Sequence, residues 1–101
     1  MKLLQLTVYL NEADRMGDVP LHEEVVRRML RQEIAGATVM RGLMGYGKHG
    51  TVHRKRLFGV SDDRPVVISA VDEEARIRAV LPELKTIVQE GLVTLTEVEK
   101  V

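Results

Sequence analysis

Leu4, Leu6, Val8 and Leu10 alternate with Gln5, Thr7 and Tyr9, a period of two that predicts a strand with one face on a core. Asn11 to Asp18 carries turn formers and Gly17, and Pro20 suits the first turn of a helix. There the period changes. Leu21, Val25, Met29, Leu30 and Ile34 recur at helical spacing, while Glu23, Glu24, Arg27, Arg28 and Arg31 take the other side. The spacing predicts a helix from Pro20 to Ala35, with Gly36 as its C-terminal breaker. Ala37 to Met44 reads as a second strand that runs into a loop near Gly45. Little is periodic from there to Arg64, which predicts a long loop with strand-like extensions at its base. Ser61-Asp62-Asp63-Arg64-Pro65 is turn chemistry.

Val66-Val67-Ile68-Ser69-Ala70-Val71 is β-branched and apolar on both sides, the pattern of a central strand covered on both faces. Asp72 stands where it can cap a following helix. Ile77, Val80, Leu81, Leu84, Ile87 and Val88 form that helix's apolar stripe, ending at Gly91, and Pro82 within it should bend or restart the helix. Leu92 to Val101 is a last strand whose apolar residues change phase between Leu95 and Val98, which predicts a bulge or kink near Thr96. The order β-α-β, long loop, β-α-β gives an α+β fold: a ferredoxin-like βαββαβ sandwich with a long loop between strands two and three. Two helices cover one face of a sheet. The other face, with Val67 and Val71 or their neighbours, has nothing left to cover it, which predicts an oligomer formed through the sheet.

The 101 residues suit one domain, 1–101. With 45% hydrophobic and 30% charged residues the chain reads as an ordinary folded protein. Fifteen basic and fifteen acidic residues cancel, so no global field draws it to nucleic acid or an anionic membrane. The absence of cysteine removes disulfides and thiolate chemistry and fits a reducing compartment, so the expected location is cytoplasmic. Gln5 and Thr7 interrupt any signal-peptide core, and no run of about 18 apolar residues could insert in a membrane.

Charge matters locally. Residues 34–61 hold Arg41, Lys48, Arg54, Lys55 and Arg56 and no acid, a stretch that an anion, an acidic protein surface or nucleic acid could meet, or simply a solvated loop. The glycines of this stretch, Gly36, Gly42, Gly45, Gly47 and Gly50, can bring phosphate close to backbone amides, with Lys48 for charge, or can make a hairpin bend without a ligand. Tyr9, Tyr46 and Phe58 are the only aromatics, and the third strand has none, which argues against specific nucleic acid binding. His49 and His53 have the spacing of a metal pair on a helix but lie in a glycine-flanked loop without a third ligand, so no metal is expected. Glu23-Glu24 and Glu73-Glu74 sit in first helical turns, where acids favour the macrodipole. There is no nucleophile elbow, and the Asn11–Val19 loop has Arg15 but lacks the rest of an acylphosphatase phosphate loop; the chain does not read as an enzyme.

Gly36-Ala-Thr-Val followed by Gly45-Tyr-Gly-Lys-His-Gly50 resembles the Gly-x-Thr-Val and Gly-Phe-Gly-Arg-Gln-Lys-Gly stretch of PII signalling proteins. The whole chain looks like the short PII-like family called domain of unknown function 190, through Gly36 to Gly47 and Leu81-Pro82-Glu83-Leu84. The resemblance implies a regulatory homotrimer whose long loop contacts a protein partner, with a membrane transporter or channel as a candidate, and an adenine nucleotide held between subunits. One wall of that site would be Gly45, Tyr46, Gly47, Lys48 and His49, the other Gly36 and Thr38 of a neighbour. The chain lacks the Thr-Gly-x-x-Gly-Asp-Gly-Lys loop of PII and stops at Val101 without its basic C-terminal segment, so AMP or ADP is expected ahead of ATP. The alternative is a module without nucleotide, in which Arg54, Lys55 and Arg56 bind an acidic partner or nucleic acid.

Overall fold

In the computed structural model, which describes residues 2–47, 53–54 and 63–101, the alternating first segment forms β1 (Leu3–Asn11). A two-residue ribbon follows, β2 (Arg15–Met16) with β3 (Val19–Pro20), and leads into α1 (Leu21–Arg31). Then come β4 (Ala37–Arg41), a second short ribbon of β5 (Met44–Gly45) with β6 (His53–Arg54), β7 (Pro65–Glu73), α2 (Glu74–Ile87) and β8 (Leu92–Val98). The four long strands make one antiparallel sheet in the order β4-β7-β1-β8. This is the ferredoxin-like arrangement. Residues 48–52 and 55–62, which make up most of the expected long loop, lie outside the described residues.

The period-two pattern has its expected effect. Leu4, Leu6, Val8 and Leu10 of β1 and Val66, Ile68 and Ala70 of β7 are buried, and Leu21, Val25 and Met29 of α1 and Ile77, Val80 and Leu84 of α2 pack on them. Fully burying one such aliphatic side chain contributes about 1.5–3 kcal/mol. Outside this layer the helices are cross-linked by charge: Arg28 reaches both Glu24 (3.0 Å) and Glu83 (3.6 Å), and Gln32 Nε2 donates to Glu83 (2.8 Å). β7 is central, as its composition suggests. In the single subunit, however, only one of its faces is covered, and Val71 on the other is exposed.

Helix α1 stops at Arg31, four residues before the expected end at Ala35. Its breaker is Glu33 in the left-handed region (φ 61°), and Gly36 plays no such part. Glu33 N–H donates to the Leu30 carbonyl and Ile34 N–H to that of Met29, both 3.0 Å, which is the Schellman arrangement. The buried pair Met29 and Ile34 accompanies it. Asp72, expected to cap α2, makes no cap; Glu73 is the N-cap and offers no side-chain bond. The Asp72 side chain turns inward, 8% exposed, and accepts hydrogen bonds from Glu73 N–H (2.7 Å) and Ala35 N–H (2.9 Å). It therefore ties the end of β7 to the connection between α1 and β4.

Pro82 neither ends nor restarts α2, which runs through to Ile87, short of the expected end at Gly91. No bulge occurs near Thr96, because β8 pairs with β1 in continuous register from Tyr9 opposite Leu92 to Leu3 opposite Val98. The change of phase has a simpler cause. Val93 and Leu95 face the helices while Leu92 and Val98 lie on the open face, so both faces of this strand carry apolar residues.

Gly91 is needed for space and not for helix termination. A Cβ there would stand 2.5 Å from the Tyr9 carbonyl oxygen and 2.8 Å from both Leu10 Cδ2 and Val88 Cγ1. Gly91→Ala is expected to lower stability by about 1–3 kcal/mol, as overpacking does, read by urea unfolding at neutral pH. The Glu73 N–H holds the Asp72 carboxyl below its ordinary value of 3.8 against the opposing effect of burial, helped by Ala35 N–H and the Arg76 charge. A carboxyl depressed in the folded state stabilises above the unfolded-state value, and that contribution is lost as pH falls through the folded value. Asp72→Asn should therefore cost about 1–3 kcal/mol at pH 7, and unfolding curves for variant and wild type should converge as pH falls below 3.8.

Candidate ligand-binding site

The open face of the sheet is ordered in rows set by register. Thr38, Ser69, Thr7 and Thr94 form a hydroxyl row, and Met40, Val67, Tyr9 and Leu92 an apolar one beside it. Gln5 Nε2 donates to Ser69 Oγ at 2.9 Å. Met40, Tyr9, Leu92 and Val71 are all exposed. Thr38 thus belongs to this face, on the edge strand β4.

Beyond β4 the chain wraps a proline. Gly42 N–H donates to the Pro65 carbonyl (2.7 Å), and a Cβ on Gly42 or Gly45 would lie 2.8 or 3.2 Å from Pro65 Cγ. Both glycines are there for close approach. None of Gly36, Gly42, Gly45 and Gly47 has positive φ. Gly36 and Gly47 differ from the other two: among the described residues an added Cβ meets nothing within 4 Å at either. Between Gly42 and Gly47, Leu43, Met44 and Tyr46 are exposed, Tyr46 by 76%.

The expected site residues fall into two groups. Gly45, Tyr46 and Gly47 adjoin one another at the base of the connection, and β5 pairs Gly45 with His53 and Met44 with Arg54. Arg54, expected to meet a partner through the long loop, therefore has its backbone paired at the base of that connection. Gly36 stands at the opposite end of β4, whose five residues extend for about 17 Å. Within one subunit the Gly36 end and the Gly45 turn cannot line the same pocket. Lys48, His49, Lys55 and Arg56 lie outside the described residues.

Sequence reasoning missed an ionic cluster beside this turn. The Glu12 carboxylate pairs with Arg41 at the end of β4, and Glu12 N–H donates to the Arg64 carbonyl at 2.7 Å. Glu12 and Arg41 are 29 residues apart, and nothing local marks them as partners. A shallow groove of about 420 Å³ lies elsewhere, on the helix side between α1 and β4, lined by His22, Glu23, Val26, Arg27 and Val39. It contains none of the residues expected to bind a ligand. Among the described residues no group of three His, Cys, Asp or Glu could hold a metal ion, and no helix is long and apolar enough to cross a membrane.

A model of the family DUF190, described as "Uncharacterized ACR, COG1993", matches residues 3–100. A UPF0166 protein of Methanocaldococcus jannaschii is 36% identical over 93 residues, covering 91% of this chain and 85% of the relative. Among solved structures, CPII of Thiomonas intermedia K12, a nitrogen regulatory PII-like protein bound to ADP, AMP and bicarbonate, superposes with a TM-score of 0.74 at 22% identity, covering 97% of this chain and 87% of CPII. A putative PII-like signaling protein of Thermus thermophilus gives 0.71 at 14% identity, covering 99% and 90%. The fold is that of the PII-like proteins.

Two glycines of the turn should respond oppositely to one methyl group. Gly42→Ala forces the Pro65 ring aside and is expected to cost about 1–3 kcal/mol, whereas Gly47→Ala should leave thermal stability within about 0.5 kcal/mol of wild type. Paired thermal melts of the two variants provide the comparison.

Proposed function

Given that this chain belongs to the DUF190 family and has the PII-like fold, we propose that it is a regulatory module that senses an adenine nucleotide, AMP or ADP ahead of ATP, and signals to a protein partner. The observation that carries this reading is the Gly45-Tyr46-Gly47 turn. Among the described residues nothing packs against the position a Gly47 side chain would take, and Tyr46 presents an exposed ring beside it. Glycine there lets phosphate approach backbone amides, and an aromatic face suits a base. That CPII, with the same fold, is bound to ADP and AMP supports the choice of ligand class.

The unit proposed is a homotrimer. The apolar row of Met40, Val67, Tyr9 and Leu92 lies on an open sheet whose edge strands, β4 and β8, have unpaired outer sides. Closure around an axis would cover such a face. Because Gly36 and Gly45 sit at opposite ends of β4, a site using both needs Gly36 and Thr38 from a neighbouring subunit. Lys48 and His49 would complete the first wall, and the connection that carries Arg54, Lys55 and Arg56 would deliver the signal, with a transporter or channel as candidate partner.

Calorimetric titration with AMP, ADP, ATP and cyclic AMP, alongside light scattering, tests both parts. AMP or ADP should bind more tightly than about 1 mM, a strength of about 4 kcal/mol, to a particle of three subunits. Gly47→Val should abolish binding while keeping the trimer and its melting temperature. Binding by none of the four sinks the nucleotide reading and leaves an interaction module with a basic loop; a stable monomer removes the intersubunit site.

A further inference from the structure

One short turn after β1 holds both roots of the connection between β4 and β7. Glu12 N–H donates to the Arg64 carbonyl (2.7 Å) and Ala13 N–H to Asp63 Oδ1 (3.1 Å), which fixes the root entering β7. The Glu12 carboxylate pairs through Oε2 with Arg41, at the root leaving β4. The turn itself is anchored by Asn11 N–H on Asp14 Oδ2 (2.9 Å) and by Leu21 N–H on the Asp14 carbonyl (2.8 Å), and so continues into α1. Two of these three ties to the roots use backbone N–H groups. The third is a side-chain ion pair.

That ion pair is incomplete. Arg41 is half exposed, with 52% of its side chain accessible, whereas Glu12 is mostly covered at 22%. Glu12 Oε1 is buried and accepts no hydrogen bond among the described residues. A guanidinium is best matched by two parallel bonds to one carboxylate or phosphate, and here the carboxylate offers it one oxygen. Nearby, Arg64 Nε is also buried without a partner among the described residues. The Arg64 carbonyl meets Glu12 N–H at this corner, and the strand carrying Arg54 pairs alongside at Met44. A half-exposed ion pair contributes little to stability, so releasing it is easy.

We infer that Arg41 is a binding residue for the ligand's phosphate, held by Glu12 until the ligand takes its place. This rests on the nucleotide reading and adds to it the residue that answers the ligand's charge and the event that follows. Gly42 and Gly45 lie against the same atom, Pro65 Cγ, so the chain after Arg41 folds back and keeps the Gly45–Gly47 turn close to it. A phosphate at that turn competes with Glu12 for a cation that Glu12 holds by one oxygen. When it wins, the Arg41 side chain leaves the turn after β1, while the β7 root stays tied to that turn by the Glu12 and Ala13 N–H groups and β4 stays on β7 through Gly42 N–H and the Pro65 carbonyl. Occupancy becomes the loss of the one side-chain tie between the turn after β1 and the β4 root. An uncharged nucleoside cannot drive the exchange.

The test is calorimetric titration of AMP and of adenosine into wild type, Glu12→Gln, Arg41→Gln and the double variant. Glu12→Gln should bind AMP about 3- to 10-fold more tightly than wild type, and Arg41→Gln about tenfold more weakly, as expected for one charge-assisted contact. Adenosine should bind all four proteins equally. In the Arg41→Gln background, Glu12→Gln should change nothing, since its effect passes through Arg41. If Glu12→Gln does not fold, Glu12→Asp, which draws the carboxylate back by one methylene, should shift AMP affinity in the same direction by a smaller factor. Wild type that binds AMP with the same or greater affinity than the Glu12 variant overturns this inference and leaves the nucleotide reading standing. Wild type that binds no AMP overturns the reading, and the inference with it.

Discussion

The nine-residue antiparallel pairing of β1 with β7 is the constraint on which the rest of the molecule depends. It runs without a break from Leu3 opposite Glu73 to Asn11 opposite Pro65, and side chains opposite one another share a face. A slip by one residue would send Leu6, Val8 and Ile68 to the open side and their polar neighbours into the core. The helices, and the edge strands β4 and β8, take their positions from this pair. The burial of Leu6, Val8, Ile68, Ile77 and Leu84, none measurably exposed, makes any other register costly.

The same pairing gives the sheet two chemically distinct ends. At the Glu73 end, Asp72 is drawn inside and binds Ala35 N–H, so the link from α1 to β4 is fastened to the last turn of the strand before α2. At the Asn11 end, Pro65 becomes the post around which Gly42 and Gly45 pack, and the turn at Glu12 and Ala13 meets Asp63 and Arg64. The first end is held by a buried carboxylate with satisfied bonds. The second is held partly by a surface ion pair and contains buried polar atoms without partners among the described residues, which makes it the end more open to change.

The open face links these two ends to assembly. A sheet covered by helices on one side and lined on the other by hydroxyl and apolar rows has neither the polarity of a solvent face nor the continuity of a core. β4 is the strand that carries this ambiguity furthest: all five of its residues are exposed, and it runs from Gly36 to the turn that ends in Gly47. Its exposure in a single subunit and the separation of Gly36 from Gly45 along it have one explanation in the proposed trimer, where a site is completed across the subunit boundary.

Much of this was legible before any coordinates. The order of elements, the buried faces of β1 and α1, the open face bearing Val67 and Val71, and the glycine-rich turn all follow from periodicity and residue type, because those patterns report the immediate surroundings of each residue. What sequence misplaced were features decided by particular contacts that periodicity does not report, most of them with partners distant in the chain. Gly36 looked like the end of α1, but the Met29–Ile34 contact closed the helix earlier on Glu33. Asp72 looked like a cap, yet Ala35 N–H, 37 residues away, captured it. Gly91 looked like a helix stop, and the need for it came from the Tyr9 carbonyl. Local pattern determined which segments became strands and helices and which face each would bury. Tertiary structure alone decided that Glu12, Arg41 and Arg64 meet at one corner, because an ion pair between residues 29 apart has no periodic signature and exists only once the β1–β7 register has brought the two strand ends together.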